Sequence, residues 1–186
     1  MKRVQKVILS ALLIAATIVL QRFLSIRTPI IAINFSFAPI MLAGLTLGPL
    51  GATFVAVVSD LIGALLFPSG SFFWGYTLTA LLAGLTAGLC LHRKTGIKID
   101  RGFIIRLILC VVITVALLNG VLNTIWVIIT MGGASNVVIP IRILKQCLML
   151  PVEFLTMLAL ARIFGKQLNQ QYFNSPEPDS KDDQIN

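Results

Sequence analysis

Read for apolar and polar positions alone, the chain is a series of long apolar runs cut by short clusters of proline, glycine and charge. The first run follows Lys2, Arg3 and Lys6 and predicts a membrane segment from Val4 to Ser25. Thr28-Pro29 introduces a second segment from Ile33 to Leu47, and Gly48-Pro49 breaks it. A third follows from Gly51 to Phe67, a fourth from Trp74 to Leu91, a fifth from Phe103 to Met131 and a sixth from Pro140 to Lys166. A bilayer core of roughly 30 Å takes about 20 helical residues to cross, so this spacing predicts an all-α integral membrane protein with six transmembrane helices in a compact bundle. The first run resembles a signal peptide in its basic start, but it continues to Leu20 without a small-residue cleavage site and is kept as a helix.

The stretch 67–89 changes character midway. Pro68, Ser69 and Gly70 supply turn chemistry among aromatic residues. Beyond them, Ala80, Ala83, Gly84, Ala87 and Gly88 place small side chains on adjoining faces of one apolar helix, the composition that lets helices approach closely in lipid. Ala-Gly-Leu-Thr occurs at 43–46 and again at 83–86. The likeness ends there, so it reads as shared packing vocabulary and not as an internal repeat.

Composition sharpens this picture. With 57% hydrophobic residues, 12% charged residues and a mean hydropathy of +0.94, an ordinary soluble domain is excluded. The net charge of +8 does not point to nucleic acid, because the basic residues are scattered along the flanks of apolar runs. Placing both termini in the cytoplasm puts Lys2, Arg3, Lys6, Arg93, Lys94, Lys98, Arg101, Arg106, Arg162, Lys166 and Lys181 on that side. Only Arg22, Arg27, Arg142 and Lys145 then remain outside, which is the distribution the positive-inside rule requires. Cys90, Cys110 and Cys147 have no ligand-like spacing and are expected to be buried reduced thiols; no metal is implied.

Candidate chemistry gathers at the expected outer end. Arg22, Arg27, Arg142 and Lys145 together suit an anion, although any one of them alone reads equally as a cation reaching for lipid headgroups. Asn119, Asn123, Trp126 and Thr130 recur at offsets of 4, 3 and 4 and form one helical stripe, which must either line a cavity or bond to neighbouring helices. Asp60 lies at membrane depth, where a carboxylate must be paired, protonated or wet. It is a candidate to accept from a heterocycle's N–H groups or to pair with Arg22 or an asparagine. Glu153, just after Pro151, reads as a structural pair or a protonated acid, and His92 as an interfacial residue. Ala11/Ala15 and Ala52/Ala56 are small-residue pairs that offer a smooth face to another helix, within the chain or outside it. No phosphate loop, His-Glu-x-x-His or Gly-x-Ser-x-Gly motif occurs.

Several motifs, in order, carry a family likeness: Arg22-Phe-Leu-Ser-Ile, Thr28-Pro29, Asn34-Phe-Ser-Phe, Gly48-Pro49-Leu, Ser59-Asp60-Leu-Ile-Gly63, Phe67-Pro68-Ser-Gly70 and Phe73-Trp-Gly-Tyr-Thr77. The chain resembles the folate-specific substrate-binding subunits of energy-coupling factor (ECF) transporters. One stretch departs from the family's usual Phe-Pro-Gly-Phe-Thr at Phe73 to Thr77, which alters the stacking surface. The resemblance implies a multi-pass subunit of a bacterial cell membrane that captures folate outside at high affinity. It further implies partners, a membrane scaffold subunit (EcfT-type) and two cytoplasmic ATPases (EcfA-type) that use ATP, with no cofactor held by this chain.

On this reading Asp60, Asn34, Asn119 and Asn123 recognise the pterin, Phe73, Trp74, Tyr76 and Trp126 stack on it, and Arg22, Arg27, Arg142 and Lys145 take the glutamate tail. Ala11, Ala15, Ala52 and Ala56 dock the scaffold. Residues 1–170 form the substrate-binding membrane domain and residues 171–186 a polar, disordered tail. The alternatives are a subunit of the same kind for another vitamin or heterocycle, or, from a different class, a small intramembrane enzyme or assembly factor using Asp60, Glu153 and His92.

Overall fold

The computed structural model describes residues 3–27, 32–67, 73–93, 99–130 and 135–168. Thr28-Pro29, the 68–70 turn, Lys94, Lys98 and the 171–186 tail lie outside the described residues, as do the side chains of Arg27 and Lys166. Among the described residues, five helices are long and apolar enough to cross a membrane. They are α1 (Arg3–Ile18, continued by a π-helical turn over Val19–Phe23), α2 (Phe37–Leu66), α3 (Trp74–Leu91), α4 (Arg101–Thr130) and α5 (Ser135–Leu168).

The fourth predicted segment matches α3 at both ends. The others shift for local reasons. The first segment stops at Phe23 and not Ser25, because Ile26–Arg27 pairs antiparallel with Ala32–Ile33 in a two-residue ribbon. Ile33 is therefore strand, and α2 starts at Phe37 after Asn34 Oδ1 accepts from Ser36 N at 3.1 Å and Ser36 Oγ at 2.6 Å. This local turn gives the chain an alternative to helix at that point. The last helix begins at Ser135, with Pro140 inside it and not at its start.

The second and third predicted segments appear as α2, broken inside at Gly48, whose φ of 78° and ψ of −172° only glycine adopts readily. The contacts on either side show that the chain reverses there. A side chain added at Gly44 would meet the Ala87 carbonyl carbon at 2.7 Å, and one added at Gly88 would overlap Pro49. Residues before and after Gly48 thus lie at one level of α3, and the path then returns, with Gly84 against Ala52 O at 2.6 Å by the same measure and Thr77 bonded to Asp60. The His92 ring caps the reversal, lying 3.4 Å from the position a Gly48 side chain would occupy.

Register fixes the remaining directions. α1 runs parallel to the second arm of α2, since Leu13 packs with Ala52 and Val55 while Gln21 reaches Asp60. α4 runs antiparallel to α5, with Thr124 against Arg142 and Gly120 against Gln146. The main core joins α2 to α5 through Met41, Leu45, Leu91, Phe103, Leu107, Val111 and Met157. Asp100 caps the start of α4, accepting from Phe103 N at 2.8 Å and from Arg93 Nη1 at 3.1 Å. The Phe103 N–H, then Arg93, hold its carboxyl below the usual carboxylate range. The cysteines differ from expectation: Cys110 is buried, Cys90 half-buried and Cys147 exposed, all as free thiols.

The Gly88 seam generates a packing prediction. Replacing Gly88 with Leu drives a side chain into the Pro49 backbone, which cannot yield as a flexible side chain would. Overpacking of this kind costs about 1–3 kcal/mol or more. The apparent melting temperature of the detergent-purified protein should fall by several degrees, whereas Leu89→Ala, at a position 65% exposed, should leave it nearly unchanged.

Candidate functional site

Three of the aromatic residues flagged in the sequence, Phe73, Tyr76 and Trp126, converge where α3 begins and α4 ends. Phe73 enters α3 in an extended conformation (φ −136°, ψ 123°), which turns its ring back over the first helical turn. There it meets Trp126 with ring centroids 5.5 Å apart at 54°, and Tyr76 at 6.1 Å and 78°. Gly75 lets the indole approach, since a side chain there would lie 2.6 Å from Trp126 Cδ2. Trp126 Nε1 donates to Thr79 Oγ1 at 3.1 Å, so the indole is oriented by a bond across the helix pair. Trp74 is 72% exposed.

The polar stripe of α4 divides. Thr130 Oγ1 donates to Trp126 O at 2.9 Å and Trp126 to Thr79, which is the interhelical and intrahelical bonding expected of membrane polar groups. Asn123 Nδ2 donates to Asn119 Oδ1 at 3.0 Å, but Asn123 Oδ1 is buried without a hydrogen-bond partner among the described residues. The backbone that carries Asn119 is π-helical over Ile113–Leu122, a widened winding that recurs near functional sites.

The basic residues fall into separate stations. Arg22 Nη1 donates to Phe67 O at 3.1 Å, and its guanidinium crosses Gly63 in the field of Asp60. Arg142, only 8% exposed, donates Nε to Thr124 Oγ1 at 3.0 Å and lies in electrostatic reach of Tyr76 and Lys145. Arg142 and Lys145 thus belong with the aromatic cluster, while Arg22 belongs to the α1–α2 junction.

Asp60 and Asn34 are engaged by the fold itself. Asp60 accepts from Thr77 Oγ1 at 2.9 Å and, more weakly, from Gln21 Nε2 at 3.5 Å, tying α1, α2 and α3 together. A threonine and a glutamine thus donate to Asp60, and Arg22 lies in its field. Asn34 spends its carbonyl on Ser36. Glu153, 3% exposed, has Lys145 as its electrostatic partner and an Oε2 without a hydrogen-bond partner among the described residues.

Ala11 and Ala15 lie on an exposed face of α1 beside Val4, Val7, Ile8 and Leu12. Ala52 and Ala56 differ from the expectation of a partner-docking face. They are 0% and 1% exposed because α3 approaches them at Gly84, so their smooth surface is used inside the bundle. A groove on α5 lined by Leu155, Leu158, Ala159, Arg162 and Ile163 shares no residue with the aromatic cluster. The geometry adds Thr79, Thr124 and Gln146 to the cluster. Gln146, 8% exposed, faces Gly120 and has its Nε2 unpaired among the described residues. Its polar character within an apolar run was the only sequence signal for it.

The arrangement offers flat rings, amide donors and acceptors, and two partly buried cations at one end of a bundle. Among the described residues, no group of three or more histidine, cysteine, aspartate or glutamate side chains could hold a metal. Three comparisons bear on what this end does. The family model for the ECF transporter substrate-specific component matches residues 5–165. The folate transporter FolT of Clostridium novyi is 38% identical over 154 residues, covering 82% of this chain and 86% of that protein. The FolT of Leuconostoc mesenteroides is 29% identical over 151 residues, 78% of each chain. A crystal structure of FolT bound with folic acid superimposes with a TM-score of 0.76 at 30% identity, covering 84% of this chain and 92% of that one. With its helical bundle and nearly its whole membrane region matched, the chain belongs to the family of substrate-specific components of ECF transporters.

Proposed function

We propose that this chain is the folate-binding subunit of an ECF importer, capturing folate at the outer face of a bacterial membrane. The observation that carries the reading is the 38% identity to a folate transporter over most of both chains, joined to the likeness to a folate-bound structure. The site chemistry agrees with it. A pterin is a flat, hydrogen-bonding heterocycle suited to Phe73, Tyr76, Trp126 and the α4 amides. A glutamate tail carries two carboxylates suited to Arg142 and Lys145. Trp74, Arg22 and Arg27 remain candidates for the rim, and Asp60 and Asn34 act by positioning α1, α2 and α3.

We read the path as six crossings with both termini cytoplasmic. Support comes from the lysine and arginine count and from the reversal at Gly48, which makes the two arms of α2 antiparallel. The first arm, residues 37–47, is only about 16 Å long at 1.5 Å per residue, so the ribbon and turn before it complete that crossing. Energy then comes from partner ATPases through a membrane scaffold, because this chain is a binding subunit and not an enzyme. The scaffold docks on α1, where Ala11 and Ala15 lie open.

Two measurements test this reading. Arg142→Ala should weaken folic acid about tenfold or more, yet weaken pteroic acid, which lacks the glutamate tail, much less; tryptophan-fluorescence titration of purified protein reads both constants. Equal losses would remove Arg142 from the tail site. Ala11→Trp should abolish folate uptake by cells carrying the assembled transporter while the isolated subunit keeps its Kd within about twofold, since Ala11 touches none of the cluster. Weakened binding by the isolated subunit would count against docking on α1.

A further inference from the structure

Two amide atoms are left over where α4 meets α5. Asn123 gives its Nδ2 to Asn119, which leaves Asn123 Oδ1 as a buried acceptor with no hydrogen-bond partner among the described residues. Gln146, 8% exposed, leaves Nε2 as a buried donor in the same condition. Native interiors seldom leave such groups unmade, so a pair of them marks a place where something else completes the bonds.

The register sets the two residues within about one helical turn of each other. Arg142 Nε meets Thr124 Oγ1 at 3.0 Å on one side, and a side chain on Gly120 would lie 3.9 Å from Gln146 Cγ on the other. Asn123 falls between Gly120 and Thr124 along α4, and Gln146 one turn beyond Arg142 along α5. Trp126, in the next α4 turn, holds a flat ring against Phe73 at 5.5 Å. Acceptor, donor and flat wall therefore occupy adjoining positions. The buried carboxylates are placed differently: Asp60 is occupied by Thr77 and Gln21, and Glu153 lies seven residues further along α5, about 10 Å deeper.

We propose that Asn123 Oδ1 and Gln146 Nε2 act as an acceptor–donor pair that reads the lactam edge of the substrate's heterocycle. Asn123 takes the ring N–H and Gln146 donates to the adjacent carbonyl oxygen. The inference rests on the folate reading above and makes Gln146 a specificity-determining residue within it. Folic acid presents a ring N–H beside a carbonyl. Its 4-amino analogue, aminopterin, presents a ring nitrogen acceptor beside an amino donor, so both hydrogen bonds meet the wrong partner.

The test is a fluorescence titration of full-length protein in detergent with folic acid and with aminopterin, for wild type, Gln146→Leu and Gln146→Glu. Wild type should prefer folic acid by at least about tenfold, because each inverted buried hydrogen bond is costly. Gln146→Leu should shrink that ratio toward unity, chiefly by weakening folic acid, and Gln146→Glu, which replaces a donor with an acceptor, should shrink it further. A wild-type protein that binds both pteridines equally overturns the proposal whether or not either variant folds. Variants that lose both ligands in proportion, or neither, overturn it too by assigning Gln146 to packing alone. Wild type that binds neither pteridine instead overturns the folate reading, and the lactam assignment falls with it.

Discussion

The close approach of backbones where α2 turns back on α3 is the constraint on which the rest of the bundle depends. Lipid gives helices no hydrophobic reason to associate with one another, so association rests on fit between backbones and on bonds across the interface. Gly44, Gly84 and Gly88 provide the fit, each with α2 or α3 backbone where a side chain would stand, and Gly48, at a φ of 78°, reverses the path. With both arms of α2 seated on one helix, Asp60 comes within 2.9 Å of Thr77, and that bond sets the height of α3. The height of α3 in turn presents Phe73, Tyr76 and Thr79 to Trp126 on α4.

Polar groups at membrane depth therefore divide by whether the fold consumes them. Thr77, Asp60, Gln21 and Thr79 are consumed, since each bonds to a side chain of another helix. Asn34 and Thr130 are consumed locally, by a turn and by the preceding helical backbone. Among the described residues, Thr114 Oγ1 and Asn123 Oδ1 on α4 and Gln146 Nε2 and Glu153 Oε2 on α5 are left unconsumed, while His92 Nδ1 is buried unpaired at the Gly48 reversal; the α4–α5 pair also carries Arg142 and Lys145 and the widened π-helical winding. The separation is a physical reason to look for a ligand there and not around Asp60, even though Asp60 is the more conspicuous residue in a list of membrane charges.

Much of this was legible in the sequence. Long apolar runs and their Gly-Pro breaks located the apolar helical stretches, with the second and third appearing as the two arms of α2, because period and punctuation depend on local chemistry. The repeated Ala-Gly-Leu-Thr at 43–46 and 83–86 turned out to mark two of the glycines that bring α2 and α3 together. The aromatic cluster was legible in part: Phe73, Tyr76 and Trp126 gather, while Trp74 turns outward, a matter of helical phase that the extended entry at Phe73 fixes. Asp60 was legible as a ligand contact or as a pair with Arg22 or an asparagine, but its Thr77 and Gln21 partners were not, because they lie 17 and 39 residues away. Gln146 was legible only as one polar residue, because a lone glutamine carries no periodic pattern, and it was the packing against Gly120 that placed it beside α4.

The same geometry separates two tasks within one small chain. α1 packs chiefly on α2 and keeps a face containing Ala11 and Ala15 open, whereas the rings, amides and cations belong to α3, α4 and α5. The connection between the two parts is the α2–α3 seam together with the Gln21–Asp60–Thr77 bridge. A seam built from backbone contact transmits displacement between α1 and the candidate site with little slack, because close-packed interiors have few alternative arrangements. The open face of α1 and the ring-and-amide cluster are therefore rigidly attached to one another. A seam of long flexible side chains would have let the two parts move independently.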